Sequence, residues 1–331
     1  MNDNVHVLPM TADAPELGKV LAATRSYTEV WQKGQLKFST PLQENLERHM
    51  RLFTHCIDQT VRKAQRLTAE LDNEALSDML ASLGSGHDSD VLAIAAEERD
   101  TVKSRLADQI SHLGREIQAL ATLPLLVGTA DQERLNKQQQ NLVRTHAQLV
   151  EEHDREQQNK ETVEKAIATL EANGLQTRFG GVVPSLDDLG KLAVPGGETV
   201  VTVEAVSKAV EQLQTLLGDV VEGMRYTQLQ QERRNIGERV RKLAVQVREL
   251  VQRQATVTQR LAALEMLPML QEQRTDWASG MTVVRQALGN FHTHLERAPI
   301  GDGEQLRVLN GLFKQLLTYQ RQLLEQHRRA L

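Results

Sequence analysis

The residues whose types could carry chemistry are few: His292-Thr-His294, His146 with His153, Gly190-Lys191, the pairs Gly180-Gly181 and Gly196-Gly197, and Cys56. Imidazoles two positions apart point in different directions on a helix, and no His-Glu-x-x-His is present, so the histidines do not make a zinc set. His146 and His153 share a helical face but stand about 10 Å apart along the axis, too far for one metal. Gly190-Lys191-Leu192 lacks both the preceding glycine pattern and the hydroxyl that would hold Mg²⁺ in a phosphate loop. Neither glycine pair opens a helix directly, so both read as bends rather than phosphate cradles. Cys56, beside Ile57 and near Phe53, reads as a small buried hydrophobe, and as the sole cysteine it forms no intramolecular disulfide. Trp31 and Trp277 read as packing residues. The expectation is no catalytic residue, no cofactor, no metal site and no enzymatic activity.

Function must then lie in shape and surface, which the composition constrains. Aromatic residues are 3% of the 331-residue chain, hydrophobic residues 40% and charged residues 25%, with 8 Pro. Gln supplies about a tenth, far above ordinary usage. Leu, Ala, Gln, Glu and Arg lose little rotamer freedom in a helix, so the mixture reads as all-α and argues against a sandwich, barrel or Rossmann core. A net charge of −5 with interleaved signs supplies no basic field for nucleic acid. The N-terminus shows no basic and apolar signal-peptide pattern, and no apolar run reaches 18 residues.

Helix starts are marked by a capping residue followed three positions later by an acid or amide: Asp13-Ala-Pro-Glu16, Thr40-Pro-Leu-Gln43, Thr129-Ala-Asp-Gln132 and Asp302-Gly-Glu-Gln305. From Thr40 an apolar face runs Leu42, Leu46, Met50, Phe53, Ile57 and on to Leu83, one helix that stops at Gly84-Ser-Gly-His-Asp88. Further helices are expected over about 90–123, 130–172, 203–264, 271–297 and 305–331. Those at 130–172 and 203–264 would be rods of roughly 60 and 90 Å at 1.5 Å per residue.

Between these rods, residues 173–202 hold six of the chain's 20 Gly and two of its 8 Pro. This segment reads as a small separate tip, with a short helix over 185–192 capped by Ser185 and a β-prone run at Val200-Val201-Thr202-Val203. Phe179, Val182, Val183, Leu186, Leu189, Leu192, Val194, Val200, Val201 and Val203 form its apolar set, either the core of a tiny head or a patch seeking a membrane or partner. Gly174, Gly180, Gly181, Gly196 and Gly197 are its hinge positions. Asp187, Asp188, Lys191 and Glu198 interrupt the set, which disfavours spontaneous spanning of a bilayer. Residues 151–162 contain no hydrophobic side chain. An antiparallel hairpin sets Glu152, Asp154 and Glu156 against Arg225, Arg233 and Arg234 in a thin neck. The organisation expected is a helical bundle from 1–148 and 240–331, a coiled-coil neck from 149–172 and 203–239, and a tip from 173–202.

This layout of bundle helices, two long antiparallel helices and a Gly/Pro-containing tip resembles the B component of the alpha-xenorhabdolysin-type binary cytotoxins, which are α-helical pore-forming toxins. The resemblance covers nearly the whole chain and rests on architecture and composition. It implies an elongated fold with a tail, neck and head, and a second helical subunit, the A component, as partner. It implies assembly with that partner into a hetero-oligomeric ring on a target-cell membrane. It further implies a protein that is soluble when made, carries no Sec signal, and reaches the membrane after release. The tip residues named above would be the membrane- or partner-contacting set. The same neck and tip would also serve a cytoplasmic coiled-coil scaffold whose tip docks another protein.

Overall fold

The structure is a computed structural model that describes Pro15 and residues 17–84, 87–192 and 198–330, with the backbone alone at 191–192, 198–202 and 219. Eleven α-helices make up the described residues: α1 Leu17–Gln32, α2 Thr40–Leu71, α3 Ala75–Ser82, α4 Asp88–Thr122, α5 Thr129–Ala172, α6 Leu175–Arg178, α7 Leu186–Leu192, α8 Glu198–Leu217, α9 Tyr226–Leu264, α10 Leu267–Arg297 and α11 Gly303–Ala330. A single 3-10 turn lies at Asp219–Val221. Among the described residues there is no strand, only an isolated antiparallel bridge between Val182 and Arg225. The all-α class expected from composition is therefore what folds.

The chain divides into two compact units, residues 1–132 with 260–331 and residues 133–259. In the first unit, α10 packs against α1 and α4, while α2 packs against α11. Rings fill its centre: Phe53 stacks on Trp277 with centroids 4.5 Å apart, Tyr27 meets Phe53 edge-on at 5.0 Å, and Phe291 lies 5.7 Å from Tyr319. Trp277, Phe53, Tyr27 and Phe291 have no exposed surface. An aromatic ring removing about 200 Å² from water contributes on the order of 5 kcal/mol before entropy is charged against it. Trp277 is thus a packing residue, as expected.

Local signals are displaced in several places. Asp302 caps α11, its carboxylate accepting from the Gln305 amide at 2.8 Å, while the Gln305 side chain accepts from the Gly301 amide at 2.7 Å. The cap of α2 is Ser39 rather than Thr40, with an extended backbone at Ser39 and its carbonyl accepting from the Gln43 amide. Pro41 pre-sets φ within the first turn, which makes the residue ahead of Thr40 the natural boundary. At α5 the Gly128 carbonyl accepts from the Gln132 amide, so Thr129 is helical and not a cap. Asp13 and Glu16 fall outside the described residues. The single helix expected from 40 to 83 is broken at residues 72–74. Glu74 takes a left-handed φ of 54°, and the Asn73 side chain accepts from the Ala75 amide. Asp72-Asn73 offers side-chain acceptors that compete with helix continuation. Arg321 of α11 pairs with Asp72 at 2.6 Å and fixes the turn from outside.

Candidate functional site

The apolar run after Gly197 resolves in favour of helix. Val200 and Val201 lie in α8, not in an extended run, and Val203 is half-buried on the same helix. Val206, Ala209, Val210 and Leu213 continue from them at helical spacing and are all buried. One buried face of that length outweighs the weak extended preference of three valines.

The helix expected from 203 to 264 is likewise two helices, separated by residues 218–225. Gly218 and Gly223 have φ of 83° and 80°, a region that costs other residues steric strain. This turn returns to the segment after α6. The Val183 amide donates to the Met224 carbonyl at 3.0 Å, the Gly223 amide to the Val183 carbonyl at 3.2 Å, and the Tyr226 amide to the Gly181 carbonyl at 2.8 Å. Gly181, at φ 79°, turns the chain into this short ladder.

Together α6, α7, α8 and the turn close onto the ends of α5 and α9 as a head with its own core. Val163, Ala166, Ile167, Leu170, Leu175, Val183, Leu189, Val206, Val210, Leu213, Val221, Tyr226 and Leu229 are buried within it, with Phe179 and Leu186 packed at its margin. Ser185 caps α7, as its position suggested: its hydroxyl accepts from the Asp188 amide at 3.1 Å and donates to the Asp188 carboxylate at 2.8 Å. Glu222 accepts from the Gln214 side chain at 2.8 Å and so ties the turn to α8. Tyr226 donates to the Ile167 carbonyl at 3.3 Å, and burial, with Glu171 nearby, pushes its phenol up to about 12.

Of the apolar residues singled out in the sequence, Val183 and Leu189 are buried, while Phe179, Val182, Leu186 and Val203 are half-buried. Leu192, Val200 and Val201 are placed by backbone alone, and Val194, Gly196 and Gly197 lie outside the described residues. Gly174 and Gly180 adopt φ of 66° and 62°. Of this set, Val183 and Leu189 lie in the small core, with Phe179 and Leu186 packed against it. Val221, Met224 and Tyr226 were missed as members of it, although the Gly218 and Gly223 pair signalled a turn. Val220, in the same turn, is 73% exposed.

The α5 and α9 helices behind the head run antiparallel. Glu156 meets Arg239 at 3.1 Å, and the Glu171 carboxylate accepts from Gln230 at 3.2 Å. Arg239 also reaches Glu232 at 3.6 Å, and Asp154 instead contacts His153 on its own helix. Glu156 thus pairs with Arg239, at the end of the expected 203–239 limb, rather than with Arg225, Arg233 or Arg234. On α9 the buried positions Leu229, Ile236, Leu243, Leu250 and Val257 recur every seven residues, the signature of a coiled-coil seam. The corresponding row on α5 is Leu135, Leu142, Leu149, Glu156, Val163 and Leu170, with Glu156 as its one charged member.

Among the described residues no group of three or more His, Cys, Asp or Glu side chains is arranged to hold a metal, and no helix is long and apolar enough to cross a membrane. Cys56 is fully buried, its thiol pushed up to about 12 by burial and then by Glu116. It is not an activated nucleophile.

No protein-family model matches the chain, and no curated protein matches it by sequence. Solved structures do. The crystal structure of XaxB from Xenorhabdus nematophila superposes with a TM-score of 0.75 at 16% identity, covering 95% of this chain and 98% of that one. PaxB from Photorhabdus luminescens gives 0.68 at 18% identity, over 93% and 96% of the two chains. A chain of the XaxAB pore complex from Xenorhabdus nematophila gives 0.58 at 14% identity, over 96% and 99%. The chain shares the fold of these proteins along nearly its whole length.

Proposed function

We propose that this chain is the B-type component of a two-component α-pore-forming cytotoxin, non-enzymatic, which assembles with a second helical subunit on a target membrane and helps form or stabilise a lytic pore. The observation that carries this reading is the extent of the fold match. The match spans 95% of this chain and 98% of XaxB, and 93% and 96% of this chain and PaxB. A scaffold built only to space two partners needs the helix pair but not a head of this construction.

In this reading the head is bistable. Phe179, Val182, Val183, Leu186, Leu189, Leu192, Val194, Val200, Val201 and Val203 are the set that meets lipid or the partner when either offers apolar contact. Gly174, Gly180, Gly181, Gly196 and Gly197 absorb the backbone change. The short ladder between residues 181–183 and 223–226 is what must part. Two residues in an antiparallel bridge have Cα atoms about 4.5–5.5 Å apart, within the span of a disulfide. Val182→Cys with Arg225→Cys therefore locks the head shut, while buried Cys56 stays out of the exchange. Mixed with its partner subunit and dye-loaded liposomes, the double variant should release dye when reduced, fail to do so when oxidised, and recover on reduction. Equal release in both redox states would refute opening of the head. No release by the wild-type pair, with neither protein floating with lipid, would refute the pore reading itself.

A further inference from the structure

The C-terminal end of α4 is held by side chains from two other helices of the first unit. A helix terminus leaves its last carbonyls without intrahelical partners. Arg274 of α10 donates through Nη2 to the Leu120 carbonyl at 2.6 Å and the Leu123 carbonyl at 3.2 Å. Asn45 of α2 donates through Nδ2 to the Pro124 carbonyl at 2.9 Å and the Leu125 carbonyl at 3.3 Å. The two form a clasp on the segment that leads into α5.

His49 stands beside both halves of this clasp. Its ring is fully buried, and its Nδ1 lies 2.8 Å from the carbonyl of Asn45 itself. A carbonyl can only accept, so Nδ1 carries the proton and Nε2 the lone pair. Nε2 is buried and meets no protein partner. Tyr27 lies 5.6 Å away and Phe53 6.1 Å, with Trp277 stacked behind Phe53. The titratable and charged groups that face it are Tyr27 from α1 and Arg274 from α10. Its own helix presents Asn45 and Phe53.

We propose that His49 is an acid-operated release for this clasp: a proton added at Nε2 sets a second cation near Arg274 in a buried site and creates a donor with no acceptor, so residues 120–125 are let go. The inference stands independently of the pore reading. Burial, with a further push from Arg274, holds the ring below its ordinary value of 6.5, against the opposing pull of the Asn45 carbonyl. The clasped state thus prefers neutral His49. Its stabilisation is complete above about pH 6.5 and is lost as pH falls below it, by at most about tenfold in the clasped-to-open ratio per pH unit for one proton. Asp100 and Asp108, held below the ordinary carboxylate range by Lys103 and Lys63, titrate in a more acidic window.

Amide hydrogen exchange over residues 118–127 of the full chain, expressed as protection so that the intrinsic pH dependence is removed, tests this between pH 7.5 and 5.0. Wild-type protection should fall reversibly below about pH 6.5, by up to about tenfold per unit. His49→Gln should hold its protection flat. His112→Gln, at another buried histidine, should respond like wild type. Arg274→Gln should be poorly protected already at pH 7.5, with little further change. Flat wild-type protection, or acid loss in His49→Gln equal to wild type, would overturn the proposal. A measurement needing no substitution complements these: the imidazole nitrogen shifts of wild type should show His49 neutral with its proton on Nδ1 until protection at 120–125 is lost. Titration of that ring at 6.5 or above with the clasp intact would equally overturn it.

Discussion

The first unit closes around stacked rings, Trp277 on Phe53 with Tyr27 edge-on, whereas the core of the head is Val, Leu, Ile and Ala with Tyr226 as its one buried ring among the described residues. The first core joins long helices, so each ring is gripped along elements of 16 to 35 residues. The second joins helix ends to pieces of 4, 7 and 20 residues and to a turn that depends on left-handed glycines. Short pieces with few contacts each lie at the low end of local stability. The difference teaches that two apolar cores in one chain can be held with different firmness, according to the length of the elements that enclose them.

The largest effect should come from cutting the ring stack. Trp277→Ala should cost about 3–5 kcal/mol, read as a lowered denaturation midpoint, with lost exchange protection concentrated in α1, α2 and α10. If peptides of the head lost protection first, the two cores would not be separate structures. Leu170→Ala in the head should cost about 2–3 kcal/mol, at the low end for such truncations because short elements can collapse onto the gap. A cost above that of Trp277→Ala would reverse the comparison.

Replacing Glu156 and Arg239 together by Leu should leave stability unchanged or raise it by about 1–2 kcal/mol, since a partly buried ion pair often does no better than apolar side chains of similar size. Its second readout is register. Cross-links engineered between α5 and α9 should become heterogeneous in the double variant and stay single in wild type. The smallest effect belongs to the exposed pair of Lys63 with Asp108. Lys63 holds the Asp108 carboxyl below its ordinary range, so the pair's contribution is present above that range and lost as pH falls through the folded value. In Lys63→Met the acid limb of the stability profile should lose this small component, with a change at neutral pH below about 1 kcal/mol.

How far the structure could be read from the residues differs along the same division. The long helices were legible because apolar positions at three- and four-residue steps accumulate over many turns, as from Leu42 to Leu71. The breaks were not, for two reasons. Asn73 and Glu74 interrupt α2 without Gly or Pro, through a side-chain acceptor and an ion pair to α11 that no local pattern announces. Gly218 and Gly223 did announce a turn, but apolar residues on both sides kept the helical period going through it. In the head, Phe179, Val183, Leu186 and Leu189 were legible as apolar neighbours, and their covering depended on Val221, Met224 and Tyr226 from beyond the turn. Glu156 was recognised as charged in a polar stretch, but its partner is Arg239 rather than Arg225, Arg233 or Arg234.

The seven-residue recurrence on α9 has a mechanical side. Seven residues of a straight α-helix fall about 20° short of two full turns, so a buried line kept for the four heptads from Leu229 to Val257 would drift by about 80° unless the helix coiled to compensate. A strict seven-residue repeat of this kind favours a left-handed winding of the helix about its partner. A wound pair does not come apart by straight peeling, because every length freed must also be untwisted. Force on the head would therefore reach the seam as torque, and rotation of α9 about its own axis, more than displacement along it, is the motion through which such a load could travel.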